Sequence, residues 1–204
     1  MSELGLFPLP IVLVPTERIP LRVFEERYLE LVGECLETDG EFGLVLATGD
    51  GAVHEIGTRA AVIEVLEVLE DGRMNIVVEG RERFRLLELT SGRSFRTAVV
   101  EPVTDRPEPS DRADADRAIG LFRQLAEVAE SDVDVPQADS ERLDFELAAR
   151  VDFGTDAKQE LLASTSPHSR MTRLVELLEL SIEAVRRERE LRELAGRNGK
   201  VSPS

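Results

Sequence analysis

The residue types that most often carry out chemistry in proteins are scarce in this chain of 204 residues. The two histidines, His54 and His168, stand far apart, and neither belongs to an H-x-x-x-H or H-x-x-E-H arrangement that would hold a metal ion. The single cysteine, Cys35, falls on the apolar side of a helical pattern, where a thiol behaves as a small buried hydrophobe rather than as a nucleophile. The sequence therefore predicts no catalytic residue, no metal site and no cofactor.

ATP hydrolysis and serine–lysine proteolysis each need a motif that the sequence does not offer. No G-x-x-x-x-G-K-[ST] run is present, and the Gly-Lys that ends residues 196–200 has neither a preceding strand nor the required spacing. A serine–lysine dyad would have to use Lys158 or Lys200, the only lysines. Lys158 falls in the first turn of a helical segment, where we expect a solvated ammonium group. We therefore predict that the chain is not an enzyme.

The charge of the chain restricts its partners. Lys and Arg total 25, Asp and Glu total 41, and the net charge is −16, a field that repels phosphate backbones and lipid headgroups. One cluster of arginines, interleaved with Phe84 and Phe95, is nevertheless typical of surfaces that grip phosphate and stack bases. Its members are Arg81, Arg83, Arg85, Arg93 and Arg96. RNA binding is therefore an alternative that the overall charge disfavours.

No segment for export or membrane insertion is predicted. The longest apolar runs are short and carry prolines, as in residues 10–15, and none approaches the ~20 residues of a membrane span. We therefore expect a soluble, cytoplasmic protein that does not bind membranes.

The composition divides the chain near residue 104. β-Branched runs with glycine turns precede this point, and a stretch rich in Ala, Leu, Glu and Arg follows it. Two prolines and several charges over residues 104–111 disfavour both helix and strand. We therefore predict a β-rich domain over residues 1–104, a linker over 105–111, a helical domain over 112–196 and a flexible tail over 197–204.

The β-rich part has the pattern of about six strands. The predicted strands are Ile11–Val14, Gly43–Ala47, Ala60–Leu69, Met74–Glu79, Phe84–Leu89 and Phe95–Val103. The Asp71-Gly72 pair predicts a tight hairpin, because glycine accepts a positive φ without strain. Six strands with short turns and one helix inserted early predict a small closed or partly closed barrel.

A helix is predicted within residues 23–36, between the first two of these strands. Its apolar residues recur at spacings of three and four, which predicts one buried face. The members of that face are Phe24, Tyr28, Leu31, Val32, Cys35 and Leu36.

The second half of the chain has helical periodicity. One helix is predicted over Arg112–Glu130, and Ser140 is a candidate cap for another. Asp156 with Gln159 resembles a capping box. Ser166 and a first-turn proline begin the longest helix, Pro167–Ala195, which Gly196 ends. An apolar seam on this helix contains Met171, Leu174, Leu178, Ile182 and Val185.

Several runs of residues together resemble a known family. The opening Leu6-Phe7-Pro8-Leu9, the prolines that follow and Val23-Phe24-Glu25-Glu26-Arg27-Tyr28 are similar to the start of the substrate-binding domain of Lon proteases. The most specific match is Ile76-Val77-Val78-Glu79-Gly80 followed by Arg81-Glu82-Arg83, and Lys158-Gln159-Glu160-Leu161-Leu162 is similar to the helical part. The resemblance covers about residues 4 to 190.

The resemblance implies a fold and a role. The fold is α+β: a PUA-like, six-stranded pseudo-barrel with an inserted helix, followed by a C-terminal helical bundle that ends in a long helix. The role is recognition of unfolded or tagged polypeptides, without the ATPase and peptidase modules that follow this domain in Lon. We therefore expect a free-standing, non-catalytic binding module, an adaptor with a Lon-type or other ATP-dependent protease as its partner.

The polypeptide-binding residues are expected on loops that a rigid scaffold positions. The candidates lie in the proline-rich entry and the start of the first helix, and they are Phe7, Pro8, Pro15, Pro20, Phe24, Glu26 and Arg27. Two alternatives remain open: RNA binding by a PUA-like barrel, and a small-molecule sensor that uses the barrel pocket. The oligomeric state is not predicted.

Overall fold

The structure, a computed structural model, describes residues 1–49, 51–108 and 111–198. Within these ranges the chain forms six strands and five helices. The strands are β1 (Ser2–Leu9), β2 (Arg18–Val23), β3 (Glu41–Leu46), β4 (Ile56–Val68), β5 (Met74–Thr90) and β6 (Thr97–Pro102). The helices are α1 (Glu26–Thr38), α2 (Arg112–Ala129), α3 (Leu143–Ala148), α4 (Thr155–Ala163) and α5 (Pro167–Asn198).

The six strands form one mixed sheet in the order β2-β5-β4-β3-β1-β6. β1 and β3 are parallel, whereas all other pairs are antiparallel. Because β5 also pairs with β6, five strands close into a ring and β2 extends the sheet on β5. The sheet, the inserted α1 and the long C-terminal α5 confirm the predicted α+β fold.

Two strand predictions are wrong, although the number of strands is right. Residues Ile11–Val14 are not a strand but a loop that is buried from Val12 onward, in which the Leu13 carbonyl accepts a hydrogen bond from Thr58 Oγ1 at 2.5 Å. Strands occur instead on both sides of it, as β1 and β2. The predicted strands 74–79 and 84–89 are one continuous strand, β5.

The absence of a side chain at Gly80 lets the buried loop pass directly over β5. A Cβ atom at this position would lie 2.2 Å from the carbonyl oxygen of Val14. The loop is also bonded to the strand there, since Thr16 N donates to Gly80 O at 2.8 Å and Gly80 N donates to Glu17 O at 2.9 Å. The glycine in the most specific run of the sequence therefore has a packing role.

Helix α1 packs one face on the sheet, but that face is narrower than predicted. Tyr28, Leu31, Val32 and Cys35 are buried. Phe24 is 62% exposed, because the helix begins only at Glu26 and Phe24 belongs to the extended chain before it. Leu36, in the last turn, is 42% exposed, so it too lies outside the buried face.

Contacts divide the chain into two compact units. The first contains residues 1–107 and 145–166, and therefore the whole sheet with α1 and α4. The second contains residues 108–144 and the chain from Pro167 onward, which includes α2 and α5. The domain bounds at residues 104 and 112 were predicted from composition, whereas the two units are defined by contacts between residues. The predicted bounds therefore stay a prediction.

In the second unit, α5 buries most of its predicted apolar seam, although Val185 is only half-buried. Phe122 of α2 and Leu174, Leu178 and Ile182 of α5 are all in the core. Asp111 caps α2, since its side chain accepts from Ala113 N at 3.0 Å. A buried ion pair joins Arg170 to Asp144 at 2.5 Å.

Two details of the predicted helices are corrected. No capping box opens α4: its N-cap is Gly154, and Gln159 donates instead to the Ile56 carbonyl at 3.1 Å. Helix α5 continues to Asn198 rather than ending at Ala195. Of the predicted tail, residues 197 and 198 belong to α5, and residues 199–204 lie outside the described residues.

Candidate functional site

The hairpin of β4 and β5 projects beyond the rest of the sheet. The pairing of β3 with β4 ends at Glu41 and Ala61, so residues Val62–Val68 of β4 pair with β5 alone. On the other side of β5, β2 pairs with residues 74–79. We call this three-stranded part, formed by residues 18–23, 62–68 and 74–79, the arm.

The outer edge of β4 within the arm is an unpaired sheet edge. No strand among the described residues pairs with residues 62–68 on the side away from β5. An unpaired edge exposes alternate N–H and C=O groups that can bond another chain. Two register shifts, between Val62 and Glu64 and between Val65 and Glu67, interrupt the pairing with β5. Such bulges increase the local twist of an edge strand.

This edge carries exposed apolar side chains. The exposed fraction is 39% for Ile63 and Val65, 53% for Leu66 and 61% for Val68. Four such residues within six positions of one unpaired strand form a concentrated apolar surface, which is typical of protein interaction sites.

The exposed Phe24 lies at the tip of the arm, on the other side of β5 from this edge. Val23 lies opposite Met74 of β5, and Met74 lies opposite Val68 of β4. Val23, Met74 and Val68 therefore form a row across three neighbouring strands, which are about 4.8 Å apart. Phe24 is the residue after Val23 and so lies just beyond this row. An aromatic ring and the apolar edge therefore lie at the same end of the sheet.

One face of the arm contains a shallow hollow with a volume of about 480 Å³. Residues of all three strands line it: Pro20, Leu21, Arg22, Leu66, Glu67, Asn75 and Ile76. A side chain of a bound segment could enter this hollow between Pro20 and Leu66.

Acidic side chains surround the apolar residues of the arm. Glu67 accepts a hydrogen bond from Asn75 Nδ2 at 2.9 Å, and Asp71 pairs with Arg73 at 2.7 Å. The hydrogen bonds from Arg73 lower the pKa of the Asp71 carboxyl. Glu64 and Glu70 have no ion-pair partner among the described residues. The arm thus combines an apolar edge with negative charge.

The structure brings some of the predicted binding residues to the arm and places others in the core. Pro20 and Phe24 are exposed on or beside β2, and Glu26 and Arg27 follow at the exposed start of α1. Phe7 is buried and stacks on Tyr28 with ring centroids 4.0 Å apart. Pro15 is buried in the loop before Thr16, whose φ is 71°. Pro8 is half-buried, opposite Val45 of β3.

Arg27 and Glu25 form a local pair at the start of α1. The Arg27 guanidinium bonds the Glu25 carboxylate at 2.6 Å and lies 4.6 Å from the centre of the Tyr28 ring. The apolar edge itself was not among the sequence candidates, and the isoleucine, valines and leucine of 63–68 in a predicted strand were its only signal.

The arginine cluster that suggested RNA binding is engaged within the protein. Arg83 is buried, donates to the carbonyls of Leu162 and Ser164 at 2.8 and 2.6 Å, and pairs with Asp105 at 2.5 Å. Arg81 pairs with Glu79 at 2.6 Å. Phe84 and Phe95 are buried, so neither ring is available to stack on a base.

Within the part of the chain that the structure describes, the remaining reactive residues do not assemble into a site. Lys158 is not solvated as expected but forms a largely buried ion pair with Glu17 at 2.5 Å. Burial, with Glu34 and Glu41, raises the pKa of the Cys35 thiol to about 11. His168 is exposed, 3.8 Å from Asp114. No group of three or more His, Cys, Asp or Glu in the described ranges could hold a metal ion.

None of the helices that the structure describes combines the length and the apolar character that crossing a bilayer demands.

Known proteins with similar sequences are Lon proteases. The chain is 28% identical over 183 residues to the Lon protease of Anaeromyxobacter dehalogenans, a match that covers 82% of this chain and 22% of that protein. It is also 28% identical over 202 residues to the Lon protease of Rhizobium meliloti, covering 89% and 24%. The chain thus spans less than a quarter of the length of these curated relatives.

Solved structures of Lon N-terminal domains have a similar fold. A Lon N-terminal domain protein from Xanthomonas campestris superposes with a TM-score of 0.70 at 28% identity, covering 86% of this chain and 98% of that one. The N-terminal domain of the Mycobacterium avium complex Lon protease has a TM-score of 0.69 at 15% identity, with coverages of 87% and 98%, and shows the shared fold. The family model described as the ATP-dependent protease La (LON) substrate-binding domain matches residues 3–179, so the chain belongs to the LON substrate-binding domain family.

Proposed function

We propose that the chain is a non-catalytic module that binds unfolded or tagged polypeptides on the arm. The observation that carries this proposal is the exposed apolar edge at Ile63–Val68, at the same end of the sheet as Phe24, on a scaffold of the substrate-binding family. Apolar segments are what an unfolded polypeptide exposes and a folded protein conceals. An apolar edge can therefore distinguish the two states of a client.

A binding measurement with a matched control tests this role. We expect the chain to raise the fluorescence anisotropy of a labelled, reduced and alkylated client, and to leave that of the folded client unchanged. Leu66→Ser with Val68→Ser should weaken this binding at least about tenfold, because burial of each apolar side chain contributes about 1.5 kcal/mol or more. If these changes leave the affinity for the unfolded client unaffected, the arm is not the surface that binds it.

The control is a second pair of exposed leucines away from the arm. Leu87 and Leu89 of β5 are exposed to a similar extent, at 43% and 50%, in the part of β5 that pairs with β6. Leu87→Ser with Leu89→Ser removes as much exposed apolar surface without changing the arm. We expect this variant to bind the unfolded client as the original chain does.

The proposal also assigns the chain an adaptor role with a Lon-type or other ATP-dependent protease. The chain itself is then expected to hydrolyse neither ATP nor peptide bonds. When it is added to such a protease from the same organism, the unfolded client should be degraded faster, and Leu66→Ser with Val68→Ser should cancel the acceleration. Degradation at the same rate with and without the chain would refute the adaptor role while leaving client binding intact.

A further inference from the structure

We infer that the arm binds its client as an added β-strand on the free edge of β4, and that it selects extended segments in which arginine or lysine alternates with apolar residues. The inference rests on the proposed function and specifies the bound conformation and the chemistry of the client. It is carried by two features of one strand: unpaired backbone groups along residues 62–68, and the carboxylates of Glu64 and Glu67, which alternate with the apolar side chains.

The backbone of the edge determines the conformation of the client. An added strand would lie about 4.8 Å from β4 and satisfy the N–H and C=O groups that face away from β5. The bulges at Val62/Glu64 and Val65/Glu67 limit the length of regular pairing, so a short segment suffices. A client bound in this way contributes its main chain, which every polypeptide has, and the arm requires no particular sequence for that part of the contact.

The side chains of the edge determine the preferred composition. In the pairing with β5, Val65 and Val68 lie opposite Ile76 and Met74, whereas Glu64 and Glu67 lie opposite Val77 and Asn75, so β4 has apolar residues on one face and carboxylates on the other. Successive residues of an added strand also point to opposite faces, so alternate apolar residues of the client can cover Val65 and Val68. The residues between them then meet Glu64 and Glu67, which favour a positive charge. Basic residues interspersed with apolar ones complement this pattern, whereas acidic residues are repelled.

The same charges argue against a second copy of this chain as the occupant. Pairing of two β4 edges would bring Glu64 and Glu67 of one copy close to those of the other, and each copy carries a net charge of −16. Like charges on facing strands disfavour such a pair. A separate segment of opposite charge is the occupant that the edge favours.

Backbone methylation of a synthetic peptide tests the added strand on the unaltered protein. The probe is a short, end-capped peptide that alternates valine with arginine, and its counterpart carries N-methyl groups on alternate residues, which remove N–H donors from one strand edge. Two methylated forms, one for each edge, cover both ways in which the peptide can lie on β4. We expect the unmethylated peptide to bind and at least one methylated form to bind about tenfold or more weakly. Equal affinity of all three peptides would overturn the added strand.

Charge reversal tests the preference for basic clients. Glu64→Lys with Glu67→Lys should weaken binding of the valine–arginine peptide and strengthen that of a valine–glutamate peptide. The matched control is Glu37→Lys on the exposed side of α1, away from the arm, which should leave both affinities nearly unchanged. Circular dichroism verifies that each variant is folded. An unchanged ranking of the two peptides in the double variant would overturn the charge selection.

The outcomes separate this inference from the proposed function. If all three valine–arginine peptides bind equally and Leu66→Ser with Val68→Ser still abolishes binding of the unfolded client, the arm binds clients but not as an added strand. If neither peptide nor unfolded client binds, the proposed function itself fails. Concentration-dependent dimerisation that Leu66→Ser abolishes, in a chain that binds no peptide, would assign the edge to a second copy and overturn the inference.

Discussion

Arg83 shows how one buried side chain can hold several parts of the first unit together. Its guanidinium, only 4% exposed, bonds the Leu162 and Ser164 carbonyls at the end of α4 and pairs with Asp105. The Phe145 ring lies 5.1 Å from it. A cation at a helix C-terminus also complements the helix dipole. The arginine that first suggested a phosphate contact is therefore a structural residue.

Replacing Arg83 by alanine is expected to destabilise the protein severely. The change removes the buried guanidinium that bonds two carbonyls and the Asp105 carboxylate, and breaking a buried pair of this kind costs about 3 kcal/mol or more. Urea denaturation measures the loss. The neighbouring Arg81→Ala removes an exposed ion pair with Glu79 and should cost less than about 1 kcal/mol. Similar losses in both variants would contradict the structural role of Arg83.

Gly80→Ala tests the close approach of the buried loop to β5. The added methyl group would lie 2.2 Å from the Val14 carbonyl oxygen, a backbone atom that cannot move alone. We expect a loss of stability of about 1–3 kcal/mol, as in other overpacked cores. Gly33→Ala on α1 is the matched control: nothing lies within 4 Å of its Cβ position, so the change should stabilise the helix by up to about 1 kcal/mol. Thermal or urea unfolding of both variants measures the two changes in stability.

Cys35 makes stability depend on pH in the alkaline range. Burial, mainly, raises the pKa of its thiol from 9.0 to about 11, so the folded state keeps a proton that the unfolded state loses. The contribution of the thiol to stability is therefore complete below pH 9 and is lost as the pH rises towards about 11. Urea denaturation across this range should show a falling free energy of unfolding. Cys35→Ala should reduce the slope of the free energy of unfolding against pH. The slope that remains is due to Tyr28, because burial also raises the pKa of its hydroxyl.

At the scale of elements, periodicity predicted helices better than strands. The apolar spacings of α2 and α5 were sufficient because each helix buries a regular stripe, as Phe122 and Leu178 illustrate. Ile11–Val14 has the composition of a strand, yet it forms a loop in which Val12, Leu13 and Val14 are buried and whose backbone groups bond Thr58 and Glu17. Local sequence does not reveal such distant partners. The separate strands predicted over 74–79 and 84–89 are likewise one strand, β5, which continues through Gly80.

The ion pair of Glu17 and Lys158 connects the loop between β1 and β2 to helix α4. Both side chains are largely buried, and Glu17 also accepts from Val14 N at 3.0 Å. Lys158→Met should destabilise the protein by about 3 kcal/mol, because a buried carboxylate loses its cation. Glu17→Gln combined with Lys158→Met should recover most of this loss, since the amide oxygen can still accept from Val14 N. A double variant as unstable as the sum of the single changes would rule out the pairing.

At the scale of the whole molecule, the candidate site was the part least accessible to prediction. The strand over 60–69 and the Asp71-Gly72 hairpin were predicted, but nothing in their sequence reveals that β3 ends its pairing at Ala61. The exposure of Leu66 and Val68 follows from that endpoint, which depends on the arrangement of the complete sheet. Phe24 was named as a candidate and also assigned to a buried face, and only the start of α1 at Glu26 separates these two interpretations.

The net charge of −16 should set the rate at which the molecule captures basic clients. A negative field steers positive segments towards the arm over the Debye length, which is about 30 Å at 0.01 M salt and about 8 Å at 0.15 M. Stopped-flow fluorescence with the valine–arginine peptide should therefore show an association rate that falls by about tenfold or more over this range, while the dissociation rate changes less. An uncharged peptide that alternates valine with serine is the control, and its association rate should hardly depend on salt. Equal salt dependence for both peptides would mean that the charge of the molecule plays no part in capture, and the apolar edge alone would then account for binding.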